Sequence, residues 1–176
     1  MRLQSTQVNL RPLQIEDAPS FFRWAEDPKV IEYSSSGFIW PRSHQDIRQW
    51  LTDLNQQRHS ISLGICCNNT GKLIGYSGIV NMSMLNRCGE FFILIGERNY
   101  WNKGIATEVV KLVTAYGFQS LNLHRIELSA YVLNPAAIRT YEKAGFQHEG
   151  ILREAGFRHG KYIDKVIMSA IEHEWL

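Results

Sequence analysis

The stretch Glu90–Gln119 reads EFFILIGERNYWNKGIATEVVKLVTAYGFQ. Its apolar opening, Phe91 to Ile95, reads as a strand. A polar turn follows, then Gly104, then a helix. The first turn of a helix carries N–H groups without intrahelical partners and the positive end of the helix dipole. Ile105, Ala106 and Thr107 directly follow Gly104, so little side-chain bulk crowds those donors, and Lys103 adds a positive charge. Such a terminus accepts an anion and points to a phosphate-bearing cofactor. Two common phosphate loops are absent. Gly71-Lys72 and Gly160-Lys161 are followed by Leu73 and Tyr162 and lack the upstream glycine of a P-loop, and no G-x-G-x-x-G occurs.

Downstream, Arg125–Phe146 reads RIELSAYVLNPAAIRTYEKAGF. Arg125 to Val132 alternates and is rich in β-formers. Asn134-Pro135 then opens a helix, with Asn as N-cap and Pro at the first helical position. Gly145 ends it as a C-cap glycine. Helix grammar accounts for each of these residues, but it does not require a tyrosine at position 141 ahead of the Gly-Phe stop.

Together the two stretches resemble the signatures of the GNAT superfamily, the acyl-CoA-dependent N-acetyltransferases. The family's pyrophosphate motif, [Gln/Arg]-x-x-Gly-x-[Gly/Ala], falls on Trp101-Asn102-Lys103-Gly104-Ile105-Ala106. Trp101 replaces the usual Gln or Arg, and Asn102 stands where a second Gly is common. The order Asn-x-x-Ala-x-x-x-Tyr-x-x-x-Gly-Phe falls on Asn134 to Phe146. The resemblance spans essentially the whole chain. It is closer to the branch holding ribosomal-protein N-terminal and spermidine acetyltransferases. The stretches that carry it are Leu10–Leu13, Asp27–Val30, Leu121–Ile126, Glu149–Glu154 and Gly160–Asp164.

The resemblance implies acetyl-CoA as cofactor, released as coenzyme A, and direct attack of an amine on the thioester in a ternary complex. It assigns Trp101 to Ala106, with Thr107, to the pyrophosphate loop. It gives backbone contacts to Ile93, Leu94 and Ile95, where the family's strand bulges, and Gly96 suits such irregularity. Asn134 contacts the cofactor in the family manner, and Arg139, one turn on, is a phosphate candidate, although its position reads as a solvated helix face ahead of a phosphate contact. Tyr141 lies near the sulfur. A tyrosine with a pKa of about 10 stays protonated at neutral pH and can hand a proton to a thiolate whose acid has a pKa of about 8.5. Glu90 is the candidate base. Glu154, Asp164 or a water chain are alternatives, and His124 and His148 could titrate near neutrality. The acceptor is a small amine (a polyamine or amino sugar) or a protein N-terminal amine. A non-catalytic acyl-CoA-binding regulatory protein of the same fold is the competing reading. Glu26, Asp27 and Glu32 could attract a cationic amine; Phe38, Trp40 and Trp50 read as core ahead of pocket wall. Many relatives are dimers or larger homo-oligomers.

Bulk properties fit. The 176 residues suit one domain, 1–176, large enough to bury a core. A formal charge of +2 provides no field for a nucleic acid partner. No apolar run suits a membrane span or a signal core, so a cytoplasmic location is expected. Cys66, Cys67 and Cys88 lack metal-site spacing, so no metal is expected and buried free thiols are.

The residue patterns order the chain as β-α-α-β-β-β-α-β-α-β-β. This is an α/β fold, a GNAT-like mixed but mostly antiparallel sheet of six to seven strands flanked by about four helices. The first helix is expected over Ile15–Glu26 and the second over Ser43–Gln57, with Ile47, Trp50, Leu51 and Leu54 on one face.

Overall fold

The structure, a computed structural model, describes residues 3–34, 38, 40–54, 56 and 58–175. Its elements are β1 (Val8–Pro12), α1 (Ala18–Ala25), α2 (Pro28–Ile31), α3 (His44–Leu54), β2 (Ile61–Cys67), β3 (Leu73–Ser83), β4 (Cys88–Ile95), α4 (Ile105–Gln119), β5 (Arg125–Tyr131), α5 (Pro135–Lys143), β6 (Gln147–Arg158) and β7 (Lys161–Ile171). The expected mixed α/β order holds, with α2 added. Asp27 caps α2 by accepting from the Lys29 N–H, and Pro28 sits in its first turn. A helix of one turn is too short to leave a periodicity. The first expected helix splits into a 3-10 turn, Ile15–Asp17, and α1, with Pro19 in the first turn of α1 where its missing N–H costs nothing. The second ends at Leu54; Asn55 and Gln57 lie outside the described residues.

The seven strands form one sheet in the order β1-β2-β3-β4-β5-β7-β6. Every neighbouring pair is antiparallel except β4–β5. Alternation sends Ile65, Ile79 and Phe91 to the face covered by α4 and α5, and a bulge in β3 turns Ile74 there too; on this face Val109, Val110 and Val113 are fully buried. Cys66 and Tyr76 point to the other face, against Phe21 and Trp24 of α1 and Leu51 of α3. Each such buried side chain contributes about 1.5–3 kcal/mol. The sheet is therefore fixed from both sides. Cys66 and Cys67 are buried and free as expected; Cys88, at the strand start, is only half-buried.

One seam in this sheet is short. Parallel pairing of β4 with β5 is confined to Cys88–Glu90 against Arg125–Glu127. Beyond it, Phe91–Ile95 and Leu128–Tyr131 no longer pair, although each still pairs on its outer side, with β3 and β7. The result is a wedge in the middle of the sheet. At its mouth the N–H groups of Gly96 and Glu97 both donate to Ile74 O, at 2.9 and 3.1 Å, which bulges the end of β4. Gly96 has to be glycine there, because a Cβ would come within 2.1 Å of the buried Trp24 ring.

Candidate active site

The loop into α4 is built from left-handed residues. Gly104 has φ 78° and Asn102 φ 58°. Asn is among the few residues that take this conformation at low cost, so Asn102 preserves the shape a glycine would give. Gly104 caps α4 without a side-chain bond, and the Glu108 N–H is the first to turn inward, to Gly104 O. The N–H groups of Ile105, Ala106 and Thr107 therefore have no partner among the described residues. Glu108 would oppose an anion in this turn, but Ser5, Thr6 and Gln7 hold its carboxylate. Burial works to raise its pKa, and those hydrogen bonds outweigh it and lower it. Lys103 lies over the Tyr100 ring at 5.6 Å and is exposed. Unpartnered amides, an acid turned away onto Ser5, Thr6 and Gln7, and an open glycine together fit a pyrophosphate.

Trp101 does not point into solvent. Its indole N–H donates to Ile95 O at 2.8 Å, tying the loop to the end of β4. The Gly96 N–H faces β3, so alternation turns the backbone groups of Ile93 and Ile95 into the wedge and those of Leu94 toward β3. Trp101 occupies the Ile95 carbonyl. Nothing among the described residues fills the Ile93 groups.

Tyr141 sits at the apex of this wedge. Its ring meets Phe91, the first β4 residue beyond the last β4–β5 pair, edge-on at 6.1 Å, and Phe146 at 6.2 Å. Its hydroxyl bonds to no described residue. Thr114 Oγ1 is the sole buried side-chain polar atom without a partner among them, so the phenol tip opens to the surface although the residue is only 8% exposed. Burial pushes its pKa up to about 12. Asn134 caps α5 through Oδ1, accepting from the Ala137 N–H at 3.2 Å, which leaves its amide NH2 free to donate. Arg139 is exposed, with no partner among the described residues.

Glu90 is the last β4 residue to pair with β5, opposite Glu127. Its carboxylate accepts from Asn81 at 3.0 Å, a partner the sequence does not announce. By alternation Glu90 shares the sheet face of Phe92, opposite to that of Phe91 and Tyr141. Of the other candidate bases, Asp164 accepts from the Glu154 N–H at 2.8 Å and so caps a kink in β6 where Glu154 has φ 54°. His124 and His148 lie in surface pairs with Glu172 and Glu142.

On the Glu90 face, α1, α2 and α3 enclose a cleft of about 410 Å³. Phe21, Phe22, Trp50 and Tyr76 form its wall, and Glu26 and Arg42 stand at it. Phe38 and Trp50 thus serve both core and cleft, whereas Trp40, 72% exposed, lines the cleft only, against the expectation of core. Asp27 faces Arg98 at 3.6 Å, and Glu32 offers its carbonyl to Arg158.

A second group near the loop escapes sequence reasoning because its members are distant in the chain. Glu97 accepts from Arg23 at 2.6 Å, Lys72 at 2.6 Å and the Trp24 indole at 3.0 Å. Burial works to raise its pKa, but these donors prevail and hold it at about 2, against 4.5 for a free glutamate. A folded pKa below the unfolded one gives stability that is present above about pH 4.5 and lost as pH falls toward 2. With Arg23 and Lys72 half in solvent, that contribution is about 2 kcal/mol. Glu97→Gln is expected to lower stability at neutral pH by about that amount and to flatten its fall between pH 4.5 and 2. Urea midpoints across this range check it; an unchanged acid limb would refute it.

Comparison with known proteins agrees with this geometry. The family model described as "Acetyltransferase (GNAT) domain" matches residues 7–147. The "Uncharacterized N-acetyltransferase p20" of Bacillus licheniformis is 31% identical over 174 residues, covering 98% of this chain and 97% of that protein. The spermidine N(1)-acetyltransferase of Escherichia coli (strain K12) is 31% identical over 173 residues, covering 96% and 88%. Among solved structures, spermidine N-acetyltransferase from Vibrio cholerae in complex with CoA and spermine superposes with a TM-score of 0.87. It is 25% identical, over 97% of this chain and 98% of that one.

Proposed function

The chain belongs to the GNAT family of acetyltransferases and uses acetyl-CoA, and from that premise we propose that it acts as one domain to acetylate a small aliphatic polyamine of the spermidine class. The observation that carries this is the pairing of an unpaired β4–β5 wedge with an aromatic cleft holding Glu26 on the opposite sheet face to Tyr141. Aromatic faces and a carboxylate suit an alkyl ammonium, through cation–π and charge contacts of about 0.5–2 kcal/mol each. The relatives named for spermidine acetylation point to the same class.

Acetyl-CoA supplies the acetyl group as an activated thioester. The amides of Ile105, Ala106 and Thr107, oriented by Gly104 and Asn102, hold the pyrophosphate. Lys103 and Arg139 add charge, and Asn134 donates through its side-chain NH2. Trp101 keeps the loop and β4 in one piece. The wedge-facing N–H groups of Ile93 and Ile95 orient the acyl arm and meet negative charge as it builds on the acetyl oxygen, while Leu94 anchors them through β3. Glu90, with Asn81 fixing its carboxylate, takes the proton of the incoming ammonium from the cleft side. Tyr141 donates to the sulfur from the other side, and the second ammonium proton, released as the C–N bond forms and the C–S bond breaks, returns to its phenolate through solvent. Proton acceptance and donation are thus separated by the sheet itself.

Thiol release from acetyl-CoA, measured against spermidine, spermine, amino sugars and peptides with varied N-termini, tests this. Turnover is expected on the polyamines. Turnover confined to peptides or amino sugars would overturn the substrate class. Tight acetyl-CoA binding without turnover on any amine would favour the regulatory reading.

A further inference from the structure

Arg158, the last residue of β6, does not serve its own hairpin alone. Its Nε donates to Glu32 O at 3.0 Å and one terminal nitrogen to Ser34 O at 2.6 Å; the other donates to Phe157 O at 2.7 Å. The guanidinium lies over the Tyr131 ring at 4.8 Å, and Lys165 covers the same ring at 4.7 Å. Tyr33 also packs on Tyr131, at 5.8 Å. The seat is built for this: a Cβ at Gly156 would come within 2.1 Å of Tyr131, so only glycine lets the ring lie on β6.

The placement of these partners gives the cluster a meaning. Ile31 lines the aromatic cleft, and Glu32–Ser34 continues directly from it. Tyr131 ends β5 on the far side of the wedge from β4. One side chain therefore joins the cleft wall, the wedge and the β6–β7 hairpin. Charged donors to two backbone carbonyls are strong hydrogen bonds, and a planar fork loses little freedom in making both.

We propose that Arg158 is the positioning residue that fixes Glu32–Ser34 against the hairpin and thereby sets affinity for the acceptor amine. It touches no reacting atom. The proposal rests on the reading of the aromatic cleft as the amine site. A lysine at 158 keeps a cation near Tyr131 but cannot reach both carbonyls from one plane.

The test compares wild type with Arg158→Ala and Arg158→Lys by steady-state kinetics on spermidine and acetyl-CoA, and by amide hydrogen exchange over residues 30–34. Val30, Ile31 and Ser34 donate backbone hydrogen bonds there, so loosening is readable. The expected result for Arg158→Ala is faster exchange in this segment and a spermidine KM raised about tenfold, the loss of about 1.4 kcal/mol of binding. The acetyl-CoA KM should be unchanged, and Arg158→Lys should fall between the two. Unaltered exchange would overturn the tether. Faster exchange with an unaltered spermidine KM would overturn its role in acceptor binding, as would equal loss toward both substrates. If wild type acetylates no polyamine, the functional reading falls, and the exchange comparison still decides whether the tether exists.

Discussion

Tyr141→Phe is expected to lower kcat about a hundredfold and leave the KM for acetyl-CoA unchanged, the signature of an interaction made only in the transition state. The substitution removes one oxygen. The ring keeps its packing against Phe91 and Phe146, and no hydrogen bond within the protein is lost because the hydroxyl makes none to a described residue. Stability should therefore stay within about 0.5 kcal/mol of wild type, and any fall in rate reads on chemistry. The raised pKa of about 12 sharpens the role. Even to a released thiolate, whose acid has a pKa of about 8.5, full proton transfer would be uphill by about 3.5 units, or about 5 kcal/mol, and before the C–S bond breaks the sulfur is a far weaker base still. The phenol thus works as a hydrogen-bond donor to charge growing on sulfur, and its proton moves only as the thiolate leaves. Because it remains protonated far above neutrality, the rate of the wild type should show no alkaline loss due to Tyr141 below about pH 11. Steady-state kinetics from pH 6 to 10 with both proteins check this. A variant within twofold of wild type, or one whose acetyl-CoA KM rises in step, would remove Tyr141 from the chemistry.

Local grammar made part of this site legible in the sequence. Strand, turn, Gly104 and helix lie in one unbroken run, and Asn134, Pro135, Tyr141 and Gly145 are spaced by a single helix. Cap, breaker and periodicity therefore suffice to place them. The departures at Trp101 and Asn102 could be seen but not understood: their explanation is a backbone angle and a bond back to Ile95. What stayed hidden depends on the chain meeting itself. The insertion of β7 between β5 and β6 is one case, since adjacent hairpin strands carry no mark of which one faces β5. The Glu97 cluster is another, because Arg23 and Lys72 are surface-type residues in unrelated segments. The upward shift of the Tyr141 pKa arises from desolvation, which only packing reveals. Arg158 is the extreme case, as it binds carbonyls of residues more than a hundred positions earlier.

The cofactor loop offers the cleaner separation of binding from folding, because the chain contains its own control. Gly104 and Gly71 both hold a positive φ, 78° and 68°, and neither has an atom within 4 Å of where a Cβ would sit. A β-branched residue is strained in this region whatever the space, at a cost of about 1–2 kcal/mol or more. Gly104→Val and Gly71→Val should therefore lose similar stability. They differ in what the turn presents. Gly71 closes the β2–β3 hairpin, far along the chain from any proposed cofactor contact. Gly104 aims the amides of Ile105, Ala106 and Thr107, and hydrogen bonds from such groups to a charged partner are worth about 1.5–3 kcal/mol each. Relaxing the turn toward negative φ swings these donors off a common point. Gly104→Val is thus expected to weaken acetyl-CoA binding about thirtyfold or more, a loss of about 2 kcal/mol, while Gly71→Val binds like wild type. Titration calorimetry with acetyl-CoA, alongside thermal melts of all three proteins, reads both quantities. If the two variants lost affinity alike, the effect would be general loosening of the fold. If neither lost affinity, the pyrophosphate would have to be held elsewhere, and the exposed Lys103 and Arg139 could not stand in, since point charges on mobile stems lack the fixed geometry that a helix terminus gives its anion.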